Sequence, residues 1–255
     1  MRTDVQRFAV AHLLRRPAAR EVGGFVVGFD PSTTSPYVNY ATPFPGAEPT
    51  GRDVADLIAA FRERGLKPRL EFVPDTTPAV EPALRRAGFR TEAVHEYLVC
   101  TPATLAVPRS GNGSAGPVEV AAPATEADYT ALDITLSEAF GGEWEPSPEG
   151  AARLRRTEEG GGAVRFVRAP GGGCAGGALC SAPAEGTAEL AGVGTLPAYR
   201  GRGIAAAVTA ALAGTLFDRG ARSVWLEYSG EGSRRVYERV GFRPGGTRLY
   251  VSLDA

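Results

Sequence analysis

Lysine, histidine and cysteine are scarce in this chain of 255 residues. Lys67 is the single lysine among 28 basic residues, so nearly all of the positive charge is arginine. With only 2 histidines, a site that needs several histidine ligands has little to build on. The 3 cysteines have no Cys-x-x-Cys spacing, which argues against a disulfide framework and against a zinc site. We therefore expect no bound metal.

Long apolar runs and an excess of charge are missing as well. No run reaches the roughly 18 apolar residues that a membrane-spanning helix needs, and charges interrupt the apolar residues near the start. The formal net charge is −1, so no overall positive field attracts nucleic acid or an anionic membrane. These absences predict a cytoplasmic protein that binds neither nucleic acid nor membranes.

What the chain does have is a stretch rich in glycine, proline and serine between two longer segments. Residues 106–117 have no hydrophobic periodicity, which is typical of a linker. The sequence therefore predicts one domain over residues 1–105 and a second over residues 118–255.

The two segments share a pattern. In the front, "PRLEF" is followed by a helical stretch that ends in Gly88-Phe89-Arg90. In the back, "VWLEY" is followed by one that ends in Gly241-Phe242-Arg243. Each is followed by another strand-like run, so we interpret the chain as a duplicated unit. Strands first follow one another and then alternate with helices, which predicts an α/β fold with a mixed, mostly antiparallel sheet.

Further elements are predicted in the back segment. "VEV" at 118–120 is expected to form a short strand. Residues 125–140 are expected to form a helix that begins at the N-cap Thr125 and turns Leu132, Leu136 and Phe140 to one face.

The stretch "GTLPAYRGRGIAAAVTAAL" joins an apolar strand to an alanine-rich helix. Glycines at such a junction let the backbone turn sharply and approach a ligand. The first N–H groups of the helix then point outward at the positive end of its dipole and bind phosphate. Arg200 and Arg202 add charge beside them. This loop therefore predicts a diphosphate site.

Two nucleotide motifs fit the loop poorly. The P-loop sequence Gly-Lys-Ser/Thr is absent. Residues 201–206 satisfy the dinucleotide pattern G-x-G-x-x-A, but four residues separate the strand from the glycines, whereas a dinucleotide turn follows its strand directly. A dinucleotide-binding domain remains the weaker alternative.

Two motifs together resemble the GNAT acyl-CoA N-acyltransferases. The family's R-x-x-G-x-G/A is matched by Arg200, Gly203 and Ala205, and its Y-x-x-x-G-F is matched by Tyr237, Gly241 and Phe242. The resemblance implies a GNAT fold, here in two units, and acetyl-CoA as co-substrate without a metal. It also implies that the loop binds the diphosphate and that the preceding strand holds the pantetheine arm through backbone groups. The implied residues are Val193, Gly194, Thr195, Arg200, Gly201, Arg202, Gly203, Ile204 and Ala205.

The resemblance also implies roles in acid–base chemistry. Tyr237 occupies the family's general-acid position, where its phenol would protonate the leaving thiolate. Glu189, on the strand before the loop, is the candidate base. Glu227 is a weaker candidate because the front copy has its counterpart, Glu71. The family's asparagine near the start of the tyrosine-bearing helix is missing from "SGEGSRR".

The front copy has no R-x-x-G-x-G/A before its helix, and Leu84 stands where the back copy has Tyr237. It is therefore expected to be a degenerate unit that packs but does not bind coenzyme A, in a monomer that imitates a dimer or in a homodimer. The acceptor is expected to be a small-molecule or peptide amine that meets Glu143, Trp144 and Glu227. A non-catalytic protein that binds or senses acyl-CoA remains the alternative to an enzyme.

Overall fold

The computed structural model describes residues 2–106 and 118–254, with the side chains from Asp4 onward. These residues form seven α-helices and ten strands. The helices are α1 (Arg2–Leu13), α2 (Gly51–Arg62), α3 (Val80–Arg86), α4 (Glu126–Ala139), α5 (Pro148–Glu159), α6 (Ile204–Asp218) and α7 (Gly230–Arg239). The strands are β1 (Arg20–Val22), β2 (Phe25–Gly28), β3 (Tyr40–Pro43), β4 (Arg69–Phe72), β5 (Arg90–Cys100), β6 (Ala163–Arg168), β7 (Cys174–Cys180), β8 (Thr187–Thr195), β9 (Ser223–Glu227) and β10 (Arg243–Ser252). No helix of the described residues combines the length and the apolar character needed to cross a bilayer.

The chain divides into two compact units. Unit 1 contains the residues up to 97 together with those from 244 onward, and unit 2 contains residues 98–243. The final strand β10 thus belongs, almost entirely, to the unit formed by the first part of the chain. The predicted domains at 1–105 and 118–255 stay a prediction, and residues 107–117 of the predicted linker lie outside the described residues.

In unit 1 the strand order is β1-β2-β3-β4-β10-β5. Strands β1, β2 and β3 are antiparallel, α2 then crosses to β4, and β4 runs parallel to β3. Strand β10 pairs with β4 in antiparallel fashion. Alternation along β4 and β10 buries one apolar face, which packs on α2 and α3. That core contains Leu70, Phe72, Leu249, Val251, Leu57 and Phe61.

Unit 2 repeats this arrangement. Its strand order is β9-β8-β7-β6, with β6, β7 and β8 antiparallel and β9 parallel to β8 after the crossover helix α6. A methyl group added to Gly176 of β7 would meet Ile204 of α6, and one added to Gly177 would meet Leu132 of α4. Because neighbouring strand residues point to opposite faces, α4 and α6 cover opposite sides of the sheet.

The repeated order of elements confirms the duplicated pattern seen in the sequence. Along the chain, each unit has three antiparallel strands, a helix, a parallel strand and a second helix. A long strand comes next in both cases: β5 in the first and β10, which is almost entirely part of unit 1, in the second. Gly88 and Gly241 end the second helix of their units with φ of +93° and +100°, a conformation that glycine adopts without strain.

Two local predictions in the back segment turn out differently. Residues 118–120 are not a strand; the segment makes one isolated bridge instead, between Ala121 and Phe166. Thr125 does cap α4, and Asp128 completes a capping box with it. Phe140, however, is not turned into the core, because α4 ends at Ala139 and leaves that ring 38% exposed.

Candidate active site

Strand β8 is distorted near its end. Gly177 of β7 faces Gly194, but Leu179 faces Ala191, so β8 has one extra residue between these two pairs. Gly192 lies in this bulge with φ of +62°, a value that favours glycine. The bulge re-aims the backbone groups around Val193 and Gly194.

Strands β8 and β9 are paired only along their first halves. Their parallel pairing begins at Thr187 and Ser223 and ends at Glu189 and Trp225. Strand β8 continues for six residues beyond that point. The ladder between the two strands therefore ends at Glu189, and we call the region beyond this point the gap between β8 and β9.

A tight loop follows β8. Pro197–Tyr199 form one 3-10 turn, and α6 begins after Gly203. Gly201 and Gly203 have φ of +76° and +81°, and nothing lies within 4 Å of the positions that their Cβ atoms would occupy. No side chain caps the N-terminus of α6. Its first N–H groups, which have no acceptor within the helix, therefore face open space.

The two arginines of the loop point in different directions. Arg200 donates from Nε to the carbonyl of Thr195 at 3.2 Å, which holds it beside the end of β8. Arg202 donates to the carbonyl of Ala198 at 3.1 Å and stacks on the ring of Tyr199, 5.2 Å from its centroid. Arg202 also lines a cleft of about 340 Å³. The loop thus holds Arg200 at the end of β8 and Arg202 at this cleft.

The end of β8 also carries a buried hydroxyl. Among the described residues, Thr195 Oγ1 has no hydrogen-bond partner although it is buried. An unpaired buried hydroxyl is costly, so such an atom is typical of a position that a ligand completes. Together with the uncapped helix start and the open space at the two glycines, this atom fits a diphosphate-bearing ligand.

Tyr237 lies on α7, the helix that follows β9. The residue is 8% exposed and packs in the apolar core of unit 2, with its ring 6.2 Å from that of Phe242. Burial raises the pKa of its phenol from 10.0 to about 12. The hydroxyl is therefore expected to stay protonated at neutral and mildly alkaline pH.

The two candidate carboxylates lie on the parting strands. Glu189 is the last residue of β8 that pairs with β9, and Ser181 holds its backbone through hydrogen bonds of 2.9 and 2.8 Å. Burial, and then the charge of Glu189, raises the pKa of the Cys180 thiol. Glu227 ends β9. The structure therefore puts Glu189 at the point where the gap begins and Glu227 on its opposite side.

Trp144 lies in the loop between α4 and α5. Its indole N–H is 3.4 Å from Oδ1 of the buried Asp133, and its backbone carbonyl accepts a hydrogen bond from Ser137. Glu143, beside it, is fully on the surface. Of these two predicted acceptor residues, only Trp144 is held in a defined position by neighbouring side chains.

Unit 1 has closed the corresponding helix start. Thr50 caps α2, and the Asp53 carboxylate accepts hydrogen bonds from the N–H and the hydroxyl of Thr50 at 2.8 and 2.6 Å. These bonds lower the pKa of Asp53, so the group is an anion at neutral pH. A carboxylate thus occupies the position where unit 2 leaves space for a phosphate. Leu84, at the position of Tyr237, is buried.

Sequence reasoning missed Phe140 as a residue of this site. A methyl group added to Gly194 would lie 3.6 Å from Cε2 of Phe140, so the exposed ring borders the bulge in β8. Helical spacing alone predicted that Phe140 shares a helix face with Leu132 and Leu136. The pair Gly141-Gly142 directly after it was the available signal, because such a pair ends a helix at once.

Comparison with known proteins agrees with this geometry. Residues 129–242 match the model of the acetyltransferase (GNAT) family. This stretch of the chain is therefore similar to a GNAT acetyltransferase domain. The match covers α4 to α7 and therefore the bulged strand, the glycine loop and Tyr237. The GNAT fold supports acyl transfer in general, and no curated protein matches the chain.

Solved structures show that the whole chain has the GNAT fold. A GCN5-related N-acetyltransferase from Kribbella flavida is 22% identical with a TM-score of 0.81, over 100% of this chain and 96% of the other. An acetyltransferase of the GNAT family from Novosphingobium aromaticivorans is 24% identical with a TM-score of 0.59, over 99% of both chains. A tandem GNAT protein from the clavulanic acid biosynthesis pathway is 14% identical with a TM-score of 0.62, over 98% of this chain and 94% of the other.

Metal ligands are not clustered in the described parts of the chain. No group of three or more histidine, cysteine, aspartate and glutamate side chains there is placed to hold an ion.

Proposed function

We propose that this chain transfers the acetyl group of acetyl-CoA to a primary amine by direct attack. The observation that carries the proposal is the uncapped start of α6, where two left-handed glycines open onto free space at the end of a bulged strand. Such a helix start binds a diphosphate, and the gap between β8 and β9 accepts an extended arm beside it. Acetyl-CoA has both parts.

The bulge in β8 supplies the electrophilic half of the chemistry. Backbone N–H groups near Val193 and Gly194, freed from pairing with β9, would donate to the thioester carbonyl. Negative charge grows on that oxygen when the amine attacks, so a donor fixed beforehand stabilises the transition state more than the ground state. Arg200 and the loop would fix the other end of the molecule.

Proton transfers complete the reaction. The neutral amine forms the new C–N bond and loses a proton, for which Glu189 is the proposed acceptor at the vertex of the gap. The C–S bond breaks, and Tyr237 would donate its proton to the sulfur. Its raised pKa of about 12 keeps the phenol protonated but makes it a weaker acid than free tyrosine.

A second candidate function is binding or sensing of acyl-CoA without catalysis. It is favoured by the burial of Tyr237 in the apolar core, since a tyrosine packed in this way also has a structural role. A dinucleotide-binding domain is the less favoured alternative.

Release of free thiol from acetyl-CoA, followed with and without a panel of primary amines, tests the proposal. An enzyme gives release that depends on the amine and an N-acetylated product by mass spectrometry. Coenzyme A that raises the melting temperature without any amine-dependent release would contradict catalysis and support the binder. Stabilisation by NAD rather than by coenzyme A would support a dinucleotide site.

A further inference from the structure

An aromatic ring is exposed next to the bulged strand. Phe140, the residue directly after α4, is 38% exposed, and its Cε2 lies 3.6 Å from the Cβ position of Gly194. Ala139 lies 3.0 Å from that same position, so the end of α4 sits directly on the β8 backbone. Phe140 therefore presents part of its ring as apolar surface beside the bulge in β8.

The ring of Phe140 packs against the ring of Trp144. The two ring centroids are 5.9 Å apart with an interplanar angle of 36°. Trp144 is itself fixed, because its indole N–H lies 3.4 Å from Asp133 and its carbonyl accepts from Ser137. Asp133 also accepts the N–H of Ser147 at 3.0 Å, at the start of α5. We call this pair the aromatic wall (Phe140 and Trp144). Its position is fixed by the hydrogen bonds of Trp144.

The backbone directly after Phe140 is not packed against other residues at its two glycines. Gly141 and Gly142 both have positive φ, of +79° and +76°, and nothing lies within 4 Å of their Cβ positions. The next charged side chains, Glu143 and Glu145, are exposed on the same loop. A cation that approaches the wall therefore meets negative charge and then an aromatic surface.

We infer that the aromatic wall selects the acceptor, and that the acceptor is an amine that carries a flat apolar or aromatic body. The inference rests on the proposed function, because it takes the thioester to lie at the bulge of β8. An aromatic body stacked on Phe140 would put its amino group beside Gly194, where the reacting carbonyl is proposed. A small polar amine has no apolar body to bury against the exposed ring, and a sugar amine buries less apolar surface there than a phenyl group does.

The test compares two primary amines of similar size, 2-phenylethylamine and glucosamine, with acetyl-CoA as the donor. We expect the intact protein to favour 2-phenylethylamine in kcat/KM by about tenfold or more, in the range that apolar pockets achieve. Phe140→Ala should abolish most of that preference through the KM of the amine, while the KM of acetyl-CoA stays within about twofold. Ile134→Ala is the matched control, since Ile134 is 48% exposed on the same helix.

A second readout does not depend on turnover. Trp144 and Trp225 are the 2 tryptophans, and Trp225 is buried in the core. With coenzyme A present, binding of 2-phenylethylamine should change the fluorescence emission of Trp144. Phe140→Ala should raise the Kd of 2-phenylethylamine measured in this way.

The outcomes separate this inference from the proposed function. Acetyl transfer with an equal or greater preference for glucosamine overturns the aromatic wall and leaves the enzyme. Transfer that favours 2-phenylethylamine equally in Phe140→Ala also overturns it. Binding of coenzyme A with no transfer to any amine overturns both.

Discussion

At the scale of single residues, Tyr237 and Tyr129 have the same property in different places. Burial raises the pKa of each phenol to about 12, for Tyr129 with help from Glu158, to which it donates at 2.7 Å. Only Tyr237 lies on the helix that follows β9. We predict that Tyr237→Phe lowers kcat by about 100-fold or more, since a positioned proton donor contributes at least that much. Steady-state kinetics and the Kd of coenzyme A, expected to be unchanged, check this.

Tyr129→Phe is the control for that measurement. It removes one hydrogen bond to Glu158 and should cost about 1 kcal/mol of stability without lowering kcat. An equal loss of activity in both variants would mean that packing, rather than the proton of Tyr237, is responsible. Because burial raises the pKa of Tyr237 to about 12, we expect this phenol to stay protonated between pH 8 and 10.

Asp128 gives a prediction about pH. Hydrogen bonds from the Ala124 N–H, then the Arg168 ion pair at 2.8 Å, lower the pKa of this carboxyl from 3.8 to about 2. A folded pKa below the unfolded one means that the stabilisation is fully present above about pH 4 and is lost as the pH falls towards 2. Asp128→Asn should therefore cost about 1–2 kcal/mol at pH 7 and much less at pH 2. Denaturant unfolding at both pH values checks this, and a pH-independent cost would contradict it.

At the scale of elements, the starts of α2 and α6 differ in the way that decides anion binding. Asp53 closes α2 with a carboxylate, whereas Gly203 leaves α6 open. Gly203→Asp would give α6 the negative charge that α2 has. We predict that this variant binds coenzyme A at least about tenfold more weakly than Gly203→Asn, because the two share size and backbone strain but not charge. Equal affinities in calorimetry would show that the helix start does not contact the diphosphate.

The elements also show how far the sequence could be interpreted. Thr125 and Gly241 marked helix ends correctly, because caps and glycine turns depend on nearby residues alone. The glycine loop between β8 and α6 was predicted correctly for the same reason. The extra residue in β8 and the end of its pairing at Glu189 depend on β7 and β9, which are distant in sequence. Helical spacing could not show that α4 ends before Phe140.

At the scale of the whole molecule, the duplicated sequence does not divide at its linker into two compact halves. Strand β10 lies between β4 and β5, and Leu249 and Val251 belong to the core of unit 1. We predict that deletion of residues 244–255 unfolds unit 1, because it removes an interior strand and two buried side chains. Hydrogen exchange should then show loss of protection in β4, with β6 and β7 as the internal reference. Persistent protection of β4 would contradict the role of β10 as an interior strand of unit 1.

The most direct test of the central claim is calorimetric titration of the intact chain with coenzyme A. One open helix start in unit 2 and one start closed by Asp53 in unit 1 predict a single binding site for each chain, with Arg200→Ala weakening it. No binding by the folded protein, or two equivalent sites for each chain, would contradict the account.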